Sequence, residues 1–381
     1  MSFVRSCVVV FSAIALATPA VAFDDDDVEQ LRSSLTCRGC DLEGADLSGL
    51  NLANADLRDA DLTEARLVGT NLANADLTEA ELIEADLNGA NLSNANFTEA
   101  DLTQASLREA IAIDANFQEA TLVLANGVGA NFDGANLSET KLGVIQLRLA
   151  SLRNADLSFS LLGRANLRGA DLEGADLQGA KLTFTNLRYA NLSNSDLAAA
   201  NFTNADLHRS RLDGSNLQSA ILTGATISNA LLLEANLNRA TLTGANLSES
   251  NLSGVSLTRA TALGANLTDA NLSGAGLNFA NFNGAQFENA DLRGAVLSEG
   301  SFIGADFTTA NLNNAYLFGA NLTATLWFDA RLEQVDLTEA LLTNANLSYA
   351  NLTNAILQET DLTDAILTGA IVPFTASSEQ P

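Results

Sequence analysis

The chain has 381 residues, with 46 acidic against 19 basic side chains, a net charge of −27, one His, three Cys, 26 Gly and only 3 Pro. Such an excess of acid disfavours direct binding to nucleic acid, whose phosphates would repel it. One His and three Cys supply no cluster for a metal centre, and no Ser–His–acid set, phosphate-binding Gly loop, zinc motif or dinucleotide fingerprint appears; neither catalysis nor a cofactor is expected.

Residues 1–22 have the pattern of a secretory signal: Arg5, an apolar run from Cys7 to Leu16, Pro19, then Ala20-Val21-Ala22 as a small-x-small cleavage site. Cleavage there would remove Cys7 and release a chain starting at Phe23. No later apolar run approaches the roughly 20 residues needed to span a bilayer. Residues 23–36 are expected to form a short helical cap, because acidic Asp24 to Asp27 suit a helix N-terminus and Val28, Leu31 and Leu35 share one face. Cys37 and Cys40 then form an even pair. In an exported chain that spacing favours a disulfide; half a zinc site or a redox motif would use the same two residues, but no second cluster or βαβ context completes either.

From residue 37 to 371 every fifth position is a large apolar slot. Counting 42, 47, 52 and onward to 367 gives 66 slots, and only Ala112, Gly127 and Ala262 depart from Leu, Ile, Phe or Trp. A small residue, usually Ala, stands two places before each. A helix turns about 100° per residue, so a period of five would scatter its apolar side chains around the axis. In extended backbone, residues two apart share a face, so Ala45 and Leu47 point inward and Asp46 outward. Five being odd, the alternation must be reset by a bend in every repeat, where Gly44, Gly89 and Gly169 are placed. The chain is therefore a coil of short flat sides stacked on itself, with Phe287, Phe307 and Trp327 in one inner column and Phe97 and Phe117 in another. Near the small slots Ala112 and Gly127, Ile111 and Ile113 are expected to swing inward.

The units Ala45-Asp46-Leu47-Ser48-Gly49 and Ala95-Asn96-Phe97-Thr98-Glu99 resemble the pentapeptide-repeat family. The resemblance implies an all-β fold, a right-handed quadrilateral β-helix with four repeats, or 20 residues, per coil. The run from Leu35 to Leu42 is similar to the first segment of exported pentapeptide proteins common in cyanobacteria, which implies a periplasm or thylakoid lumen. Residues 372–381 are left as a polar tail. With no helix visible at that end, either the tail covers the last coil or two rods join end to end as a homodimer.

Residues 20 apart should line up along the rod. Asp59, Glu79, Glu99, Glu119 and Glu139 make an acidic ladder, read first as a solvated face and second as a site for divalent cations or a basic partner. Arg148, Arg168, Arg188 and His208 make a candidate anion-binding column across the coil from it, unless Asp156, Asp171 or Glu173 pair with them. Tyr316, Phe318, Leu326 and Phe328 are a candidate apolar partner patch. Residues 23–140 hold 24 acids and 5 bases, whereas 141–211 hold 6 acids and 9 bases. These features favour a non-catalytic exported rod that displays charged and apolar columns to a protein partner. Two alternatives follow: an acidic DNA mimic acting on DNA gyrase, as the resemblance implies for some relatives, and a divalent-cation-binding surface protein.

Overall fold

A computed structural model describes residues 23–373. The signal reading of residues 1–22 and the tail from residue 374 lie outside these. Helix α1 runs Asp25–Ser34, inside the expected cap. The Asp24 carboxylate accepts the Asp26 N–H at 2.9 Å, and Asp25, Asp26 and Asp27 occupy the positive first turn. Leu35, at φ 55°, closes the helix in left-handed backbone. Val28 and Leu31 are buried against the first coil, and the Asp27 carboxylate accepts the Asp41 N–H at 2.8 Å. Cys37 and Cys40 are joined by a disulfide with Cα atoms 5.3 Å apart.

Beyond α1 the chain is a β-helix solenoid. Every fifth residue from Thr36 to Asn351 makes a parallel bridge to the residue 20 further on, beginning Thr36↔Asp56 and ending Asn351↔Ile371. Four five-residue units thus make one coil, and the sides are named here for their first-coil inward residues Leu42, Leu47, Leu52 and Leu57. Roughly 16 coils at about 4.8 Å each give a rod about 80 Å long.

Hydrogen bonding explains why five residues suffice. The Leu42 and Gly44 N–H groups donate to the carbonyls of Asp61 and Thr63 in the next coil, each at 2.8 Å. The Asp61 N–H donates back to Cys40 at 2.9 Å, and the Ala45 N–H closes the turn on Leu42 at 3.0 Å. One N–H per unit remains, on the residue after the slot. The side chain before the slot accepts it, as Asp61 does from Thr63 at 2.9 Å and Asn96 from Thr98 at 3.2 Å. This local bond is the reason for Asp or Asn there. Asn side chains also link coils, Asn71 donating to Asn51 at 2.7 Å and Asn91 to Asn71 at 3.0 Å. The last residue of the turn takes positive φ whatever its type, 70° at Gly44 and 55° at Glu64.

Inside, the slot residues and the Ala column are almost wholly buried over most of the rod. Phe97 stacks on Phe117 at 4.7 Å, Phe287 on Phe307 at 4.7 Å, and Phe307 on Trp327 at 4.2 Å between centroids. The Trp327 indole N–H donates to Thr325 Oγ1 at 2.7 Å, so a buried polar atom is satisfied.

The small slots do not distort the coil. Ile111 keeps its bridge to Asn91 and is 44% exposed rather than turned inward. The volume is filled from within: Phe132 is one coil beyond Ala112 and meets Phe117 edge-on at 5.7 Å, and a Cβ at Gly127 would lie 2.9 Å from Leu147 Cδ2. Ala262 has Phe282 one coil on. At the far end Leu367 and Val372 are 37% and 42% exposed, beside the last bridge among the described residues, Asn351↔Ile371.

Candidate functional site

The Leu47 side carries the basic column. Arg148, Arg168, Arg188 and His208 follow one another at 20-residue intervals on it, opposite the Leu57 side that leads to the acidic ladder. The corner beside the column holds Tyr189, 44% exposed. The guanidinium carbons of Arg168 and Arg188 lie 5.5 and 5.7 Å from its ring centroid, within cation–π reach. His208 meets the same ring edge-on at 6.3 Å. Arg188, and after it Arg209, hold the Tyr189 phenol below its ordinary range. The structure thus adds Tyr189 and Arg209 to a cluster read from the sequence as four cations.

Pairing within the rod is narrower than the sequence suggested. Asp171 and Glu173 are taken by Arg153, at 2.9 and 2.8 Å, not by the column. Arg188 reaches Asp206 at 3.2 Å, and Asp206 is the chief cause of the raised Arg188 guanidinium pKa. Among the described residues Arg148 and Arg168 form no ion pair. His208 Nδ1 is 2.9 Å from Ser228 Oγ. That pair resembles half a nucleophilic site, but among the described residues no carboxylate bonds the ring, and Ser228 lies on a flat side rather than in a cleft.

The acidic ladder is also present, at the corner after the Leu57 side, with Asp59, Glu79, Glu99, Glu119 and Glu139 all exposed and all at φ between 57° and 59°. Asp59 is bonded to Arg38 at 2.9 Å. The column then changes character, to Phe159 and Gly179. A tighter acidic group occurs near α1, where Asp41, Glu43 and Asp61 offer carboxylate oxygens within 4.8 Å of one another. Desolvation, then the charges of Asp61, Asp41 and Glu64, raise the Glu43 carboxyl.

The apolar patch is not one surface. Tyr316 and Phe318 flank the inward Leu317 on the Leu57 side, whereas Leu326 and Phe328 flank Trp327 on the Leu47 side, half a coil away. All four are exposed, but the rod stands between the pairs; Phe328 instead meets Tyr349 at 5.4 Å. A depression of about 270 Å³ on the Leu52 side is lined by Glu173, Ser193, Arg211, Asp213 and neighbours, and its Ser193 hydroxyl has no protein partner.

No helix among the described residues is long and apolar enough to cross a membrane. Comparison with curated proteins finds no match. Among solved structures, HetL, a pentapeptide repeat protein involved in heterocyst differentiation regulation in the cyanobacterium Nostoc, is 30% identical over 69% of this chain and 91% of its own, with a TM-score of 0.17. A pentapeptide repeat protein from the thylakoid lumen of Arabidopsis thaliana is 32% identical over 29% of this chain and 70% of its own, with a TM-score of 0.18. QnrB1, a plasmid-mediated fluoroquinolone resistance protein, is 20% identical over 53% of this chain and 90% of its own, with a TM-score of 0.23. The profile of the family Pentapeptide repeats matches in successive segments from residue 37 to residue 371; with the unbroken 20-residue bridging, this shows that the chain belongs to the pentapeptide-repeat family.

Proposed function

We propose that the chain is an exported, non-catalytic rod whose Leu47 side binds an acidic protein in the periplasm or thylakoid lumen. The observation that carries this reading is the cluster at Tyr189. Arg168 and Arg188 lean on its ring, Arg148 and Arg168 have no ion pair among the described residues, and the rigid coil holds them about 4.8 Å apart. Arg and Tyr together are enriched where proteins bind one another. The leader-like residues 1–22 and the Cys37–Cys40 disulfide support an oxidising compartment. Fractionation with N-terminal sequencing should find a product beginning at Phe23 outside the cytoplasm. Bait carrying R148E and R168E should lose a partner that the unchanged rod retains from that fraction. Equal capture by both would refute the site, and a cytoplasmic product beginning at Met1 would refute export.

The acidic ladder favours a second reading, a DNA mimic acting on DNA gyrase or another DNA-binding protein, since duplex DNA also presents a line of negative charge. Inhibition of supercoiling by the purified rod would support it; unchanged supercoiling at saturating rod would remove it. The carboxylates of Asp41, Glu43 and Asp61 are the place where a divalent cation would act, and a melting temperature unmoved by calcium would dismiss that role.

A further inference from the structure

The Leu42 side sorts its charges along the first half of the rod. Toward α1 it carries Asp41, Glu43, Asp61, Glu64, Glu81, Glu84 and Asp101; beyond the middle it carries Lys141, Arg164 and Lys181, with exposed Leu161 and Phe184 among them and Arg164 5.9 Å from the Phe184 ring; between the two groups stand Val123 and Leu124, the latter 48% exposed. Among the described residues none of the three cations makes an ion pair. Asp61 and Asp101 each give one oxygen to a turn N–H, at 2.9 Å, and meet no cation. Elsewhere the rod does pair its charges, as at Arg58, Arg153 and Arg293.

Two glycines lie on the same side. Gly143 and Gly163 have no positive φ, and an added Cβ would meet nothing nearer than Val123 Cγ2 at 4.0 Å and Thr183 Oγ1 at 3.5 Å. Both open a turn, where glycine is well tolerated, and the missing side chains leave room for a group to approach from outside.

We propose that the Leu42 side is a self-complementary surface on which two copies of the chain pack side by side and antiparallel, about a two-fold axis through Val123. Such an axis exchanges residues equally many coils before and after Val123. Lys141, one coil after, then faces Asp101 of the partner subunit, one coil before. Arg164 faces Glu84 of the partner subunit, and Lys181 faces Asp61 of the partner subunit. Gly163 lies opposite the partner subunit's Ile83, whose side chain fills the space a Cβ would take, and the two Val123 side chains meet on the axis. This is the isologous pattern a two-fold contact demands. An acidic protein or an anionic lipid surface would suit Lys141, Arg164 and Lys181 alone, but neither would use Asp101, Glu84 and Asp61, which stand at equal distance on the other side of the apolar centre; Glu81 and Glu64 fall opposite Leu161 and Phe184 of the partner subunit and take no cation. The inference holds whatever partner the Leu47 side takes.

Sedimentation velocity of the full chain at low and high salt tests this. A dimer is expected at low salt that dissociates at high salt as screening grows. R164E with K181E should give monomer with an unchanged circular dichroism spectrum and melting transition. R164E alone should weaken the dimer, and adding E84R to it should restore it, because that pair is then present with its signs exchanged. V123C should cross-link to itself under oxidation. A chain monomeric at low salt, a dimer indifferent to R164E with K181E, or one that R164E weakens and E84R does not restore would overturn the proposal.

Discussion

At the scale of the residue, the rod depends on a few polar atoms that must be satisfied without water. Thr325 is wholly buried and accepts the Trp327 indole N–H. Thr325→Val keeps the shape but leaves that donor unpaired, so the surrounding coils should lose about 1–3 kcal/mol, read by denaturant titration of Trp327 fluorescence. Glu43 shows the opposite case. Its folded pKa is raised by desolvation and then by Asp61, Asp41 and Glu64, so the folded state is fully favoured below the ordinary value of 4.5 and loses that advantage as pH rises through the folded pKa. Glu43→Gln should therefore raise the melting temperature slightly at neutral pH and change nothing at pH below that value; a loss of stability at neutral pH would reverse the assignment. The inward Leu and Ala positions could be read from sequence because period five excludes a helix. The role of Asp and Asn could not, since it appears only when the other four N–H groups of the unit have been assigned.

At the scale of the element, each five-residue unit is held by bonds to the coils before and after it, so a defect should remain local. Asn96 accepts from Thr98 and donates to Thr78 at 2.7 Å, while Asn116 donates to Asn96 at 3.1 Å. Asn96→Ala removes a turn acceptor and breaks this ladder; about 1–3 kcal/mol should be lost, with faster amide exchange in neighbouring coils and none at the far end. The α1 cap and the disulfide guard the N-terminal edge. Cys37→Ser with Cys40→Ser should cost less than the usual 2–4 kcal/mol, because the closed loop is very short. Hydrogen exchange should rise over residues 25–61 alone. The cap was legible from its acidic first turn and apolar spacing. The inward swing of Ile111 was not a sound expectation: the bridge to Asn91 fixes which way it faces, and Phe132 from the next coil supplies the missing volume.

At the scale of the whole molecule, function is a matter of which columns share a side. Residues 20 apart fall in line, which is why the Arg148 column and the Glu79 ladder were visible in the sequence. Residues ten apart fall on opposite sides, which is why Tyr316 and Leu326 do not form one patch despite being close in the chain. The fit of the Leu42 side cannot be read along one chain: Lys141 and Lys181 share a column with Asp61 and Asp101, and their match emerges only when a second rod is turned end for end. All of this requires a single register from Thr36 to Ile371 without a hinge. Small-angle X-ray scattering of the chain at high salt, where side-by-side association is suppressed, tests that requirement most directly. A uniform rod with a long dimension of about 80 Å is expected, from roughly 16 coils at about 4.8 Å each. A compact particle, or a profile of two segments joined by a flexible break, would contradict it.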